Sequence, residues 1–150
     1  MPSIKTIVCA VDFSDGSPEV AAYAAALATA AGATILCLYV APSLAEYVGF
    51  SVPQASLDHV IDDVVASAEE SMTAFTAAQF TGLAVRGLVR AGYPAEEILR
   101  AAAENHADLI VMGTHGRTGF DRMLFGSVAE KVVTAADCPV LTVKPRPAAA

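Results

Sequence analysis

Residues 20–41 run without a single charged side chain. A stretch of that length either crosses a bilayer or is divided between two buried elements. Its internal change of character decides between them: residues 20–31 are alanine-rich and favour helix, Gly32 supplies a C-terminal stop, and residues 34–40 (TILCLYV) have the β-branched and aromatic make-up of a strand. The stretch is therefore expected to be a helix followed by a buried strand, and not a membrane span.

The same alternation extends in both directions. Residues 4–11 (IKTIVCAV) form a nearly continuous apolar run, as expected of a strand covered on both faces. Turn-forming residues 12–17 follow, and Ser17-Pro18-Glu19 reads as a helix start with Ser17 as candidate N-cap. Residues 41–56, punctuated by Pro42, Gly49 and Pro53, read as a long connection, a candidate lid or interface. From Leu57 onward, Ile61, Val64, Val65, Ala68, Met72 and Phe75 recur at helical spacing. Residues 83–89 form a third expected strand, Pro94 opens a helix, residues 108–112 form a fourth strand, residues 128–136 a short helix, and residues 140–143 a closing strand.

The order βαβαβαβαβ implies an α/β fold: a single-domain, open, parallel five-stranded sheet of Rossmann-like type with helices on both faces. At 150 residues one domain is expected, spanning residues 1–145 and followed by an Ala/Pro-rich tail, residues 146–150. In such sheets ligands bind at the carboxyl ends of strands, where connections diverge. Asp12, after the first strand, and Gly113, after the fourth, are the two ends that stand out.

Several function classes are disfavoured. The net charge is −7 and the nine basic residues are scattered, so a nucleic-acid surface has little electrostatic basis. Cys9, Cys37 and Cys138 lack metal-ligand spacing and are expected in the core. Their odd number, with no secretory leader apparent, suggests a reducing, cytoplasmic location. A GxxxxGK[ST] P-loop is absent.

Gly113-x2-Gly116-x9-Gly126-Ser127 brackets the junction between the fourth strand and the last helix. Glycines there let backbone amides face an anion. Bland readings stand beside this one: Ser127 with Glu130 matches a capping box, Asp12 matches a turn-forming aspartate, Arg117 and Arg122 match solvated loop arginines, and His115 lacks a nucleophile to serve as base.

This spacing, with Val11-Asp12, the Gly-Arg-Thr-Gly loop at 116–119 and the terminal Pro-Val-Leu-Thr-Val strand, resembles the nucleotide-binding signature of the universal stress protein family in its ATP-binding branch. The resemblance covers nearly the whole chain and implies the adenine-nucleotide α-hydrolase-like fold, with strand order 3-2-1-4-5. It implies ATP, or another adenine nucleotide, with Mg²⁺. Ala10, Val11 and Asp12 would meet adenine and ribose or support the metal-phosphate end, Asp12 through Mg²⁺. Val40 would meet adenine, and Met112 and Gly113 the sugar. Gly116, Gly126, Ser127 and Val128 would cradle phosphates, with Arg117 available to neutralise them. A homodimer through residues Val140–Val143 and an unidentified protein partner are further implications. Ala10 departs from the proline that many relatives carry. The expected role is regulatory nucleotide binding in a stress response, with slow ATP hydrolysis or nucleotidyl chemistry, or a nucleotide-independent adaptor, as alternatives.

Overall fold

The computed structural model describes residues 1–42, 54–115 and 126–146. Five strands, β1 (Thr6–Ala10), β2 (Thr34–Pro42), β3 (Val85–Gly92), β4 (Leu109–Gly113) and β5 (Val140–Val143), alternate with helices α1 (Ser17–Ala31), α2 (Gln54–Gln79), α3 (Pro94–Glu104) and α4 (Ser127–Ala135). All strand pairings are parallel and the order is β3-β2-β1-β4-β5. This is the single-domain doubly wound sheet that the element alternation predicts.

Period-two alternation along the strands divides the core into two layers. Ile7, Cys9, Ile35, Cys37, Leu109 and Val111 pack on one face against α1 and the second half of α2. Val8, Leu36, Leu38, Ile110 and Met112 pack on the other against α3 and α4. Helix α1 packs on the sheet through Val20 and the small side chains of Ala21, Ala24 and Ala28. Gly32 ends it in the left-handed region at φ 68°, and its amide reaches back to the Ala28 carbonyl, a conformation that costs glycine little. No helix among the described residues is long and apolar enough to cross a membrane.

Several boundaries differ from those expected, those of β1, β4 and α4 by one or two residues. Strand β3 lies two to three residues further along than residues 83–89, because it pairs with β2 from Ile35↔Val85 to Pro42↔Gly92; an edge strand takes its limits from its neighbour. Strand β2 runs on through Ala41 and Pro42, paired with β3 to its end, and α2 begins at Gln54. The expected 41–56 connection is thus shorter, and its residues 43–53 lie outside the described residues.

The two proposed serine caps are corrected as well. Gly16 and Gly126 occupy the N-cap positions of α1 and α4, and neither helix has a side-chain cap. Ser17 and Ser127 therefore stand one residue inside, and the Ser127–Glu130 capping box does not form. Cys138 is only partly buried at the margin of the second layer, unlike Cys9 and Cys37.

Candidate functional site

The strand order reverses between β1 and β4, which lie side by side with Ala10 opposite Met112. Connections leave these strands in opposite directions, so a crevice must open beyond their carboxyl ends. A cleft of about 630 Å³ is found there, within the range of roughly 300–1,000 Å³ common for small-ligand sites.

One wall grows out of β1. The Val11 amide bonds the Leu38 carbonyl at 2.9 Å, extending the ladder one residue past the strand. The chain then turns sharply at Phe13, whose φ of 59° is unusual for a bulky residue. Packing holds it: the Phe13 ring lies 4.7 Å from that of Tyr39 and 5.6 Å from that of Phe75. The turn fixes Asp12. Its Oδ1 accepts the Ser14 amide at 3.0 Å and the Ser17 hydroxyl at 3.1 Å, whereas Oδ2 is buried without a hydrogen-bond partner. Asp12 is thus both the turn-forming aspartate and a residue of the cleft lining.

The opposite wall comes from β4 and α4. The Thr114 amide bonds the Val143 carbonyl at 2.9 Å, and the Gly126 amide bonds the Thr114 carbonyl at 2.7 Å. These two bonds bring the start of α4 back beside the end of β4. A Cβ on Gly126 would stand 3.3 Å from the Thr114 carbonyl oxygen, so glycine permits this approach. Without a side-chain cap, the first-turn amides of α4 lack intrahelical partners and carry the positive end of the helix dipole. His115 lies on this wall, with Nδ1 3.0 Å from the Thr114 hydroxyl and Nε2 buried and unpartnered.

Of the residues singled out from the sequence, Ala10, Val11, Asp12, Val40, Met112, Gly113, Gly126, Ser127 and Val128 all line this one cleft. Gly116 and Arg117, with Gly119 and Arg122, lie outside the described residues. Sequence reasoning missed Ser17, Tyr39, Ile98, Thr114 and Pro145, which also line it. Ser17 and Thr114 are buried hydroxyls adjoining recognised motifs, and could have been found by asking what anchors Asp12 and His115. The contact made by Pro145 joins distant parts of the chain and had no local signal.

Among the described residues, the lining contains no lysine or arginine, and no cluster of three or more His, Cys, Asp or Glu side chains suits a metal ion. The lining includes apolar Leu38, Val40, Ile98 and Met112 beside polar Asp12, Ser14, Ser17, Thr114 and the start of α4. A lining that is apolar in one part and polar in another suits a ligand having a hydrophobic ring at one end and hydroxyl or anionic groups at the other.

Sheet order, crevice and uncapped helix together define a doubly wound α/β domain of the crevice-binding class. The sequence model of the universal stress protein family matches residues 3–144, and the chain belongs to that family. It is 37% identical over 141 residues to universal stress protein MJ0531 of Methanocaldococcus jannaschii, covering 93% of this chain and 82% of that protein. It is also 37% identical over 141 residues to a universal stress protein of Thermus aquaticus encoded in the QAH/OAS sulfhydrylase 3′ region, covering 93% and 98%. Among solved structures, MJ0577 of the same archaeon superposes with a TM-score of 0.86 at 25% identity, covering 98% of this chain and all of that one. UspA of Lactobacillus plantarum gives 0.80 at 25% identity, covering 96% and 100%. Two further proteins that share the fold have been solved as nucleotide complexes, one with cAMP and one, from Archaeoglobus fulgidus, with dAMP.

Proposed function

We propose that the cleft holds an adenine nucleotide, ATP with Mg²⁺, and that its occupancy biases conformation or partner binding in a stress response. The observation that carries this reading is the convergence of three features on one cleft: an apolar slot at Val40 and Met112, the unpartnered Oδ2 of Asp12, and the uncapped N-terminus of α4. The slot suits adenine. Asp12 Oδ2 suits a ribose hydroxyl or a water bound to Mg²⁺. The helix amides suit phosphate oxygens.

Electrostatics support the metal. Asp12 is negative and the described lining offers no cationic side chain, so a bare triphosphate would meet repulsion that Mg²⁺ relieves. Arg117 and the Gly116 backbone complete the phosphate cradle in this reading.

Calorimetry with ATP, AMP and cAMP, each with and without Mg²⁺, tests it. Binding is expected for ATP with Mg²⁺ and is expected to weaken at least about tenfold in Asp12→Ala. Absence of heat and of any thermal shift with every nucleotide would return the chain to a nucleotide-independent adaptor.

A second reading, slow hydrolysis, is favoured by one observation: His115 Nε2 is buried and unpartnered on the wall opposite Asp12. It requires turnover that disappears in His115→Ala while binding is kept. ATP recovered intact after hours with Mg²⁺ eliminates it.

We also place a homodimer contact at β5, which pairs only with β4 within the described sheet and so leaves an edge open. The protein is assigned to the cytoplasm, in keeping with three free cysteines.

A further inference from the structure

The chain does not leave the molecule when β5 ends. Pro145, two residues past the strand, lines the cleft and lies on the bare backbone of Gly16, where a Cβ would come within 2.6 Å of its Cγ. The next residue grips the same helix one turn on. The Arg146 amide donates to Glu19 Oε2 at 2.8 Å, and its guanidinium Nε donates to Oε1 at 3.0 Å.

Gly16 is the N-cap of α1 and Glu19 stands in its first turn. Residues 145 and 146 therefore seize the helix start that follows the Asp12 turn. Both bonds from Arg146 hold the Glu19 carboxyl below its usual range, the backbone bond contributing most.

A surface ion pair alone would be weak and salt-sensitive. Here it is joined by a backbone amide, which needs no side-chain ordering, and by a proline seated in a glycine notch. Pro145 lines the cleft while Arg146 and Glu19 do not, so the pair links an exposed clasp to a ligand-facing wall.

We propose that residues 145 and 146 form a clasp that completes the β1–α1 wall of the cleft, so that ligand occupancy and docking of these two residues strengthen one another. This rests on the nucleotide reading of the cleft and adds a route by which occupancy is reported at the surface. Linkage makes the effect reciprocal: the factor by which the clasp tightens ligand binding is the factor by which ligand tightens the clasp.

A purely electrostatic influence predicts something different. Removing the Glu19 charge near an anionic ligand would strengthen binding, and removing the Arg146 charge would weaken it. A clasp predicts weakening in both cases.

The experiment compares wild type, Glu19→Ala and Arg146→Ala by calorimetry with ATP and Mg²⁺, and follows exchange of the Arg146 amide by NMR with and without nucleotide. Both variants are expected to lose about threefold in affinity, the scale of one modest surface contact. Arg146 exchange should accelerate in Glu19→Ala, and nucleotide should slow it in wild type by the factor that the affinities give. Opposite signs in the two variants, or unchanged affinity alongside faster Arg146 exchange, overturn the clasp and leave the nucleotide reading standing. Wild type that binds no nucleotide overturns both, while Arg146 exchange in Glu19→Ala still shows whether the contact forms.

Discussion

Ser17 donates its hydroxyl to Asp12 Oδ1 at 3.1 Å across the turn that joins β1 to α1. The Ser14 amide occupies the same oxygen, and Oδ2 is left buried without a hydrogen-bond partner. The serine thereby orients a carboxylate it does not need for capping. Ser17→Ala is expected to lower folding stability by about 1 kcal/mol, one hydrogen bond's worth. It should also weaken ATP binding, because the carboxylate regains rotamer freedom. Urea unfolding and calorimetry on the same preparation check this; unaltered affinity would mean that the Ser14 amide orients Asp12 unaided.

Gly126→Val strikes the opposite wall. Its first new atom meets the Thr114 carbonyl at 3.3 Å, and that carbonyl cannot retreat freely because it accepts the Gly126 amide at 2.7 Å. The start of α4 must then swing away from β4. A stability loss of about 1–3 kcal/mol is expected from the overpacking, together with at least about tenfold weaker nucleotide binding as the helix amides lose their aim. Retained binding with reduced stability would separate the glycine from ligand recognition.

Cys9 and Cys37 face each other in register on β1 and β2, both fully buried. The hydrogen bond with Cys37, then burial, pushes the Cys9 thiol well above its ordinary pKa. Since the thiolate is the reactive form, both thiols should resist a disulfide reagent such as DTNB in the native protein. Cys138 is partly exposed, but burial and the nearby Asp108 and Asp137 charges raise its pKa too. Native protein should therefore show one slowly reacting thiol, and denatured protein all three. Rapid native labelling of Cys9 or Cys37 would contradict the packing.

Asp108 ties the beginning of β4 to the beginning of β1: its Oδ2 accepts the amides of Lys5 at 2.8 Å and Thr6 at 3.0 Å. These bonds, the one from Lys5 foremost, hold its carboxyl below the usual range. A depressed folded pKa means that the contribution to stability is fully present above the unfolded value of about 3.9 and is lost as pH falls through the folded value. Asp108→Asn should accordingly show a shallower loss of stability on acidification below about pH 4. Identical acid limbs for the two proteins, followed by circular dichroism in urea, would remove Asp108 from the account.

The strands were legible because burial on both faces leaves a nearly unbroken apolar run, and residues 34–40 and 140–143 could hardly be anything else. Helix stops were legible where a single residue type is required, as at Gly32. Helix starts were less so. Glycine followed by serine offers two candidate caps; the helix takes Gly16, and the Ser17 hydroxyl donates to Asp12. The edge strand β3 was misplaced because its limits are imposed by β2 and not by its own pattern. Motif spacing located Asp12, Gly113 and Gly126 on one cleft, since residues at strand and helix ends are set by local turns. Pro145 escaped notice because the Gly16 notch that receives it belongs to the other end of the chain.

The pairing of β1 with β4 has a consequence for synthesis. Asp12 is made early and Gly113 late, and they come to flank one cleft only after β4 has found its place beside β1. No N-terminal portion ending before β4 contains both walls. A nascent chain leaving the ribosome must therefore wait until most of its length has emerged before ligand can help it fold. On the proposed nucleotide reading, ligand would act on the finished sheet and not on its precursors, so that occupancy would report complete folding.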